Sequence, residues 1–218
     1  MDKYNVYQDM SRRTGGEIYL GIVGPVRTGK STFIKRFMEL VVIPEMSDDN
    51  EKVRTIDELP QSADGKTIMT TEPKFIPKEA AVIHFSNQET GKIRLIDCVG
   101  YLVPEAVGAI EEEKERMVKT PWSEEEIPFS KAAEIGTSKV IREHSNLGLI
   151  ITTDGSFGDI AAANFEEALQ KTVMECEKAG KPFLILVNTS RPDSQETIQF
   201  KKRLEAQYGK TVMAVNCK

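Results

Sequence analysis

Residues 24–31, Gly-Pro-Val-Arg-Thr-Gly-Lys-Ser, constrain this chain more than any other stretch. They fit G-x-x-x-x-G-K-[ST], a loop whose backbone N–H groups converge on one anion. Gly24 and Gly29 let the loop bend. Lys30 is placed to reach β- and γ-phosphates, and Ser31 to offer a hydroxyl to Mg²⁺. The flanks agree with this. Ile18 to Val23 is an apolar run that reads as a buried strand. After Ser31, apolar residues at 33, 34, 37, 38, 40 and 41 make a helical stripe, which Pro44 ends. Strand, glycine loop and helix stand in the order a phosphate cradle needs. The alternative is a Gly-rich turn with a solvated lysine. On either reading Lys30 is expected to be exposed, so that the fold barely notices its removal.

Bulk properties narrow the class. A chain of 218 residues is long enough for one α/β domain with a sizeable core. Its net charge of −5 argues against a nucleic-acid surface. Three cysteines without C-x-x-C spacing argue against a disulfide framework or a zinc site, and fit a reducing compartment. Met1 to Thr14 lacks the apolar core of a signal peptide, and no apolar run is long enough to span a bilayer.

The rest of the chain is read in order. Residues 1–16 are an N-terminal arm, either packed on the sheet or frayed. Residues 44–79 read as a long polar connection, of the length that is functional or disordered in compact domains. Thr67, Thr70 and Thr71 lie near its end, where phosphate-loop switches carry a threonine that closes over the γ-phosphate and Mg²⁺. A strand lead-in rich in β-formers is the plainer reading of the same residues. Ala81–Ser86 and Lys92–Asp97 read as a hairpin, with His84 a structural strand residue. Asp97 ends its strand and begins Asp-x-x-Gly100, the place of a Walker-B acid and of an N–H that can meet the γ-phosphate. Residues 97–129 are read as a second switch with an irregular insertion; its Trp122 either anchors the loop or marks a partner surface. Ser130–Ser145, Asn164–Ala179 and Ser194–Tyr208 read as helices. Leu147–Thr153, Pro182–Asn188 and Thr211–Val215 read as strands, with Asp154-Gly155 a turn signal. Strands alternating with helices predict an α/β P-loop NTPase whose mixed sheet is mostly parallel with one antiparallel strand and has helices on both faces.

The landmark order is that of translation-factor-type (TRAFAC) GTPases. Their base-reading N-K-x-D is replaced here by Asn188-Thr-Ser-Arg191. A cation cannot accept guanine's two N–H donors, so the expectation is a GTPase-like fold that has moved to ATP. Tyr101 stands where Ras-like enzymes have a water-orienting glutamine. Arg27 lies within the phosphate loop, an arrangement that resembles guanylate-binding proteins, where that arginine is a built-in finger; a solvated loop side chain is the alternative.

Longer blocks make the resemblance closer. They are residues 14–24, Arg27 to Lys35, Asp57-Glu-Leu-Pro-Gln-Ser, residues 65–75, Arg94 to Tyr101 and Thr152-Thr-Asp-Gly. Over essentially the whole chain they resemble the stage IV sporulation protein A family. The resemblance implies an Mg²⁺-dependent ATPase that polymerises into the basement layer of the spore coat, in the mother-cell cytoplasm at the outer forespore membrane. A nucleotide-gated scaffold with incidental turnover, or a GTPase, is the alternative function. The chain would be a single ATPase domain, without the middle and C-terminal domains of the family. The implied partners are copies of itself, other coat proteins and a small amphipathic membrane-anchoring peptide that acts through the absent C-terminal region; nucleic acid is not among them. The implied catalytic residues are Lys30, Arg27, Thr70, Thr71 and Asp97. Nucleotide contacts are expected from Gly24, Arg27, Thr28, Gly29, Lys30, Ser31, Thr32, Gly100 and Asn188, and metal ligation from Ser31, Thr70 and Asp97.

Overall fold

A computed structural model of the chain describes residues 16–60, 72–84, 90–104, 106, 110–111 and 114–218. Its centre is a six-stranded sheet. The strands are β1 (Glu17–Val23), β2 (Lys74–His84), β3 (Thr90–Asp97), β8 (Leu147–Thr153), β9 (Phe183–Asn188) and β10 (Val212–Val215). They lie in the order β10-β9-β8-β1-β3-β2. Every neighbouring pair is parallel except β2 with β3. Four short strands, β4 (Ile110–Glu111), β5 (Lys114–Glu115), β6 (Met117–Thr120) and β7 (Ser123–Pro128), form two separate antiparallel pairs.

Strand alternation splits the core into two layers. On one face, Leu20 and Ile22 meet Ile34 and Met38 of the first helical run, α1 (Lys30–Phe37) with its π continuation Met38–Val42. On the other, Val23, Ile150 and Ile185 meet Ile141, which follows α3 (Phe129–Lys139). Leu169 and Val173 of α4 (Glu166–Lys178) and Leu204 of α5 (Gln195–Tyr208) complete that layer. Full burial of one such side chain stabilises the fold by about 1.5–3 kcal/mol. The expected mixed sheet with helices on both faces is the observed one.

Four local readings need correction. The stretch 44–79 is not a continuous loop: it holds α2 (Asp49–Glu58), capped by Asp48 accepting from the Asn50 N–H. Its polar composition hid a helix that buries only Thr55. The apolar stripe of α1 does not run to 40 and 41. Leu40 and Val41 are exposed, and Val42 is buried instead, four residues after Met38. The edge strand β2 begins at Lys74, not near Ala81, with its register interrupted between Ile76 and Ala81 around Pro77, which an edge strand tolerates. The insertion contains the β6–β7 hairpin, whose run of exposed glutamates, Glu124 to Glu126, reads as polar loop because it has no alternating apolar face.

Candidate functional site

The loop between β1 and α1 is held from three sides. Below it, Asn188 at the end of β9 is buried and uses both ends of its amide. Its Nδ2 donates to Thr28 O at 3.1 Å, and its Oδ1 accepts from Cys217 N at 3.1 Å. Beside it, Pro25 pairs with Tyr101: Val26 N donates to Tyr101 O at 2.9 Å and Tyr101 N to Gly24 O at 3.3 Å. Within it, Thr28 Oγ1 donates to Pro25 O at 2.9 Å. Two glycines are required by close approach. A Cβ on Gly29 would stand 2.3 Å from Asn188 Nδ2, and one on Gly100 would stand 2.1 Å from Gly24 O. Both have positive φ, 93° and 94°, where glycine alone is unstrained.

Arg27 also has positive φ, 62°, and is the one non-glycine of that kind among the described residues. A side chain there costs about 1 kcal/mol, and such strain gathers at functional loops. Its side chain is exposed.

Lys30 is buried, 5% exposed, where the sequence led us to expect an exposed side chain. Its ammonium donates to Pro25 O at 2.6 Å. Burial pushes its pKa down, and the neighbouring Cys98 and Asp97 push it back up. Ser31 Oγ donates to Asp97 Oδ2 at 3.0 Å. The other oxygen, Oδ1, is enclosed and has no hydrogen-bond partner among the described residues. Burial raises the Asp97 carboxyl, against Lys30 and the hydrogen bond from Ser31. Thr32 follows in the first turn of α1, half-buried. The structure thus brings Gly24 to Thr32, Asp97, Gly100 and Asn188 together at the carboxyl ends of β1, β3, β8 and β9. That is where open α/β sheets bind ligands. Thr67, Thr70 and Thr71 lie outside the described residues.

Tyr101 is buried, in a small cluster with Val26, Val103 and Phe165. The Lys171 ammonium lies 5.0 Å from its ring centroid. Its side chain is therefore committed to packing, and its backbone to the β1–α1 loop.

One group of side chains escaped the sequence reading. Asp154, at the end of β8, accepts from Thr189 Oγ1 at 2.6 Å and from Thr197 Oγ1 at 3.2 Å. The signal was present: an acid at a parallel strand's carboxyl end, next to the strand that carries Asn188. Followed by glycine, Asp154 reads in sequence as a turn and as part of the Thr152-Thr-Asp-Gly block of the resemblance. His84 is exposed and pairs with Glu45, 2.8 Å from Nδ1 to Oε2. The Trp122 indole N–H is enclosed and has no hydrogen-bond partner among the described residues. Among the described residues, no cluster of three or more His, Cys, Asp or Glu is arranged for a metal, and no helix is long and apolar enough to cross a membrane.

Comparisons with known proteins agree with one another. The stage IV sporulation protein A of Bacillus subtilis strain 168 is 53% identical over 216 residues, 99% of this chain and 44% of that protein. That of Bacillus anthracis is 51% identical over 216 residues, again 99% and 44%. That of Clostridioides difficile strain 630 is 48% identical over 212 residues, 97% and 43%. The chain spans less than half the length of these curated relatives. Solved structures of SsGBP variants superpose with a TM-score of 0.48 at 14% identity, over 96% of this chain and 52% of theirs; that likeness adds nothing to the fold described above. A family model described as stage IV sporulation protein A, ATPase domain, matches residues 1–218. With that match and relatives near 50% identical over nearly every residue, the chain belongs to the stage IV sporulation protein A ATPase-domain family.

Proposed function

We propose that this chain binds and hydrolyses ATP with Mg²⁺ at the β1–α1 loop. Turnover then drives copies of it to assemble into the basement layer of the spore coat, at the outer forespore membrane on the mother-cell side. The observation that carries the chemistry is the grouping of Lys30, Ser31 and Asp97. A buried ammonium stands at a helix N-terminus, beside a hydroxyl and a carboxylate with one oxygen enclosed and, among the described residues, without a hydrogen-bond partner. A hydroxyl and a carboxylate are the hard oxygen donors that Mg²⁺ takes. The fit is chemical: Ser31 and Asp97, with Thr70, would hold the ion. Bound there, Mg²⁺ supplies charge neutralisation on the β- and γ-phosphate oxygens.

The chain's own groups do the rest. The N–H groups of the loop and of the first turn of α1 bind phosphate oxygens, helped by the helix dipole. Lys30, on leaving Pro25 O, meets the β/γ bridge. The Gly100 N–H faces the γ-phosphate. Arg27 swings over the phosphates as charge develops between them. Tyr101 offers the attacking water no carboxamide and is packed away from it, so Thr70 or Thr71 positions that water in this reading. Other coat proteins, and an amphipathic membrane-anchoring peptide reached through regions beyond this chain, are the proposed partners. Residues 44–79 and 97–129 act as the two switches of one ATPase domain.

The test is Lys30→Ala together with Lys30→Met, which keeps the stem that fills the buried site. Both are expected to lose measurable ATP hydrolysis while circular dichroism keeps the parent spectrum. Turnover at the parent's rate in a folded Lys30→Met variant would move the activity elsewhere.

A further inference from the structure

We propose that Asp154 is a positioning residue for base recognition, fixing the loop after β9 in a shape that receives adenine and disfavours guanine. This rests on the ATP site proposed above and goes beyond it by naming what selects the base.

The phosphate loop lies at the end of β1. The metal-side acid, Asp97, is on β3, to one side of β1. The nucleoside therefore extends to the other side, across the ends of β8 and β9, where Asp154 and the residues after Asn188 stand. Asp154 knits those two ends together. Its Oδ2 accepts from Thr189 and Thr197, and its Oδ1 from Ser156 N at 3.0 Å. Ser156 Oγ in turn accepts from Ser190 N at 2.8 Å and donates to Thr189 Oγ1 at 3.4 Å. Thr189 is fully buried and Thr197 is 2% exposed, while Asp154 and Ser156 are half-buried, so the network runs from the interior to the surface of the loop. Burial by itself would raise the Asp154 carboxyl; the hydrogen bonds from Ser156, Thr189 and Thr197 outweigh it and hold the carboxyl below its usual value.

The network consumes the loop's donors. Thr189 N bonds Val215 O at 2.9 Å, Ser190 N bonds Ser156 Oγ, and Arg191 N bonds Thr189 Oγ1 at 3.2 Å. From residues 189–191 the backbone can thus offer a base the carbonyl oxygens of Thr189 and Ser190 but no N–H, the Arg191 carbonyl already accepting from Ser194 N at 3.1 Å. The exocyclic amine of adenine is a donor and suits such a loop; the O6 of guanine is an acceptor and finds no backbone partner in these three residues. A site whose polar groups are fixed by internal bonds rejects the mismatched partner more strongly than a loose one. Thr189 stands where an N-K-x-D motif has its lysine. Its inward hydroxyl is what makes the lock to Asp154.

The experiment measures the binding of ATP, GTP and inorganic tripolyphosphate to the 218-residue chain and to Asp154→Ala, Thr189→Val, their double variant and Thr189→Ser. Tripolyphosphate has no base and reports the cradle alone. ATP is expected to bind about tenfold more weakly to Asp154→Ala and Thr189→Val, the size expected for losing one charge-assisted hydrogen bond and the order it imposes. GTP should be no weaker than to the parent, and tripolyphosphate should stay within about twofold, since the cradle's own bonds are untouched. The double variant should match either single variant, and Thr189→Ser should restore the parent's preference. Tripolyphosphate weakening in step with ATP would reduce Asp154 to a structural residue and overturn the proposal. An unchanged ATP-to-GTP ratio in both single variants would overturn it as well. Failure of the parent to bind ATP would instead sink the ATP site, and this inference with it.

Discussion

Arg27 holds a backbone conformation that costs energy, yet its side chain is exposed. No packing need explains a non-glycine residue there. The proposed role in the transition state would. On the proposed site, the cradle N–H groups, Lys30 and Ser31 would carry ground-state binding, so losing an interaction made only at the transition state lowers kcat without raising KM. Arg27→Ala is expected to bind ATP nearly as well as the parent and to turn over at least about tenfold more slowly, a modest part of what arginine fingers give elsewhere. Arg27→Gly should show the same kinetic defect with the backbone strain removed. Steady-state kinetics of both decide it. Normal turnover would transfer the role to a neighbouring subunit or a bound cation, and potassium dependence would then be the sign to seek. Asp154 gives a pH prediction. Its folded pKa lies below the ordinary 3.8, so the native state binds the proton less readily than the unfolded chain. The stability it contributes is present above that ordinary value and is lost as pH falls through the lower folded one. Melting curves of the parent and Asp154→Ala should therefore differ most at neutral pH and draw together below about pH 4.

At the scale of elements, Asn188 is the joint. It ties the phosphate loop to the end of β9 and to the strand-end segment after β10 by spending both ends of one amide on backbone groups. Asn188→Ala would leave Thr28 O and Cys217 N buried without their partner, at a cost of about 1–3 kcal/mol each in the worst case. Urea denaturation is expected to show a clear loss of stability, and ATP affinity should fall with it because the cradle loses its floor. A variant as stable as the parent would mean that water replaces the amide. The joint shows which parts of this protein are legible in sequence. The G-x-x-x-x-G-K-S loop, Asp97-x-x-Gly100 and Asn188 are local signals set by spacing and by strand ends, and their meeting in one place follows from parallel strand order. The burial of Lys30, the Tyr101 backbone bridge and the Asp154 network are tertiary facts. They depend on how far one strand end reaches toward another, which no periodicity encodes. α2 was missed for a related reason. It buries one threonine only, so it lacks the apolar stripe by which amphipathic helices are recognised.

At the scale of the whole molecule, the question is what turnover is for. On the β8–β9 side, the hydrogen bonds of Asp154 and Asn188 tie the strand-end loops together. The β3 side carries Asp97 and Gly100, which the proposed function assigns to Mg²⁺ and the γ-phosphate. A nucleotide-driven change is therefore expected on the β3 side, with the base end fixed. Two regimes for assembly make different demands. If binding alone orders the two switches, ATP and a non-hydrolysable analogue shift the same equilibrium and assemble the protein equally, since a ligand moves an equilibrium only by its differential affinity. If hydrolysis is needed, the analogue holds the protein in the bound, unassembled state. The second regime is the one we expect. On the proposed function, Arg27, held strained and exposed, would serve bond breaking rather than ground-state grip. In a full-length relative-sized protein carrying this chain, sedimentation should show large particles with ATP and Mg²⁺ but not with the analogue. Thr70→Ala with Thr71→Ala, and Arg27→Ala, should each bind ATP and fail to assemble. Equal assembly with the analogue would make the protein a nucleotide-gated scaffold, in which turnover resets the particle instead of building it.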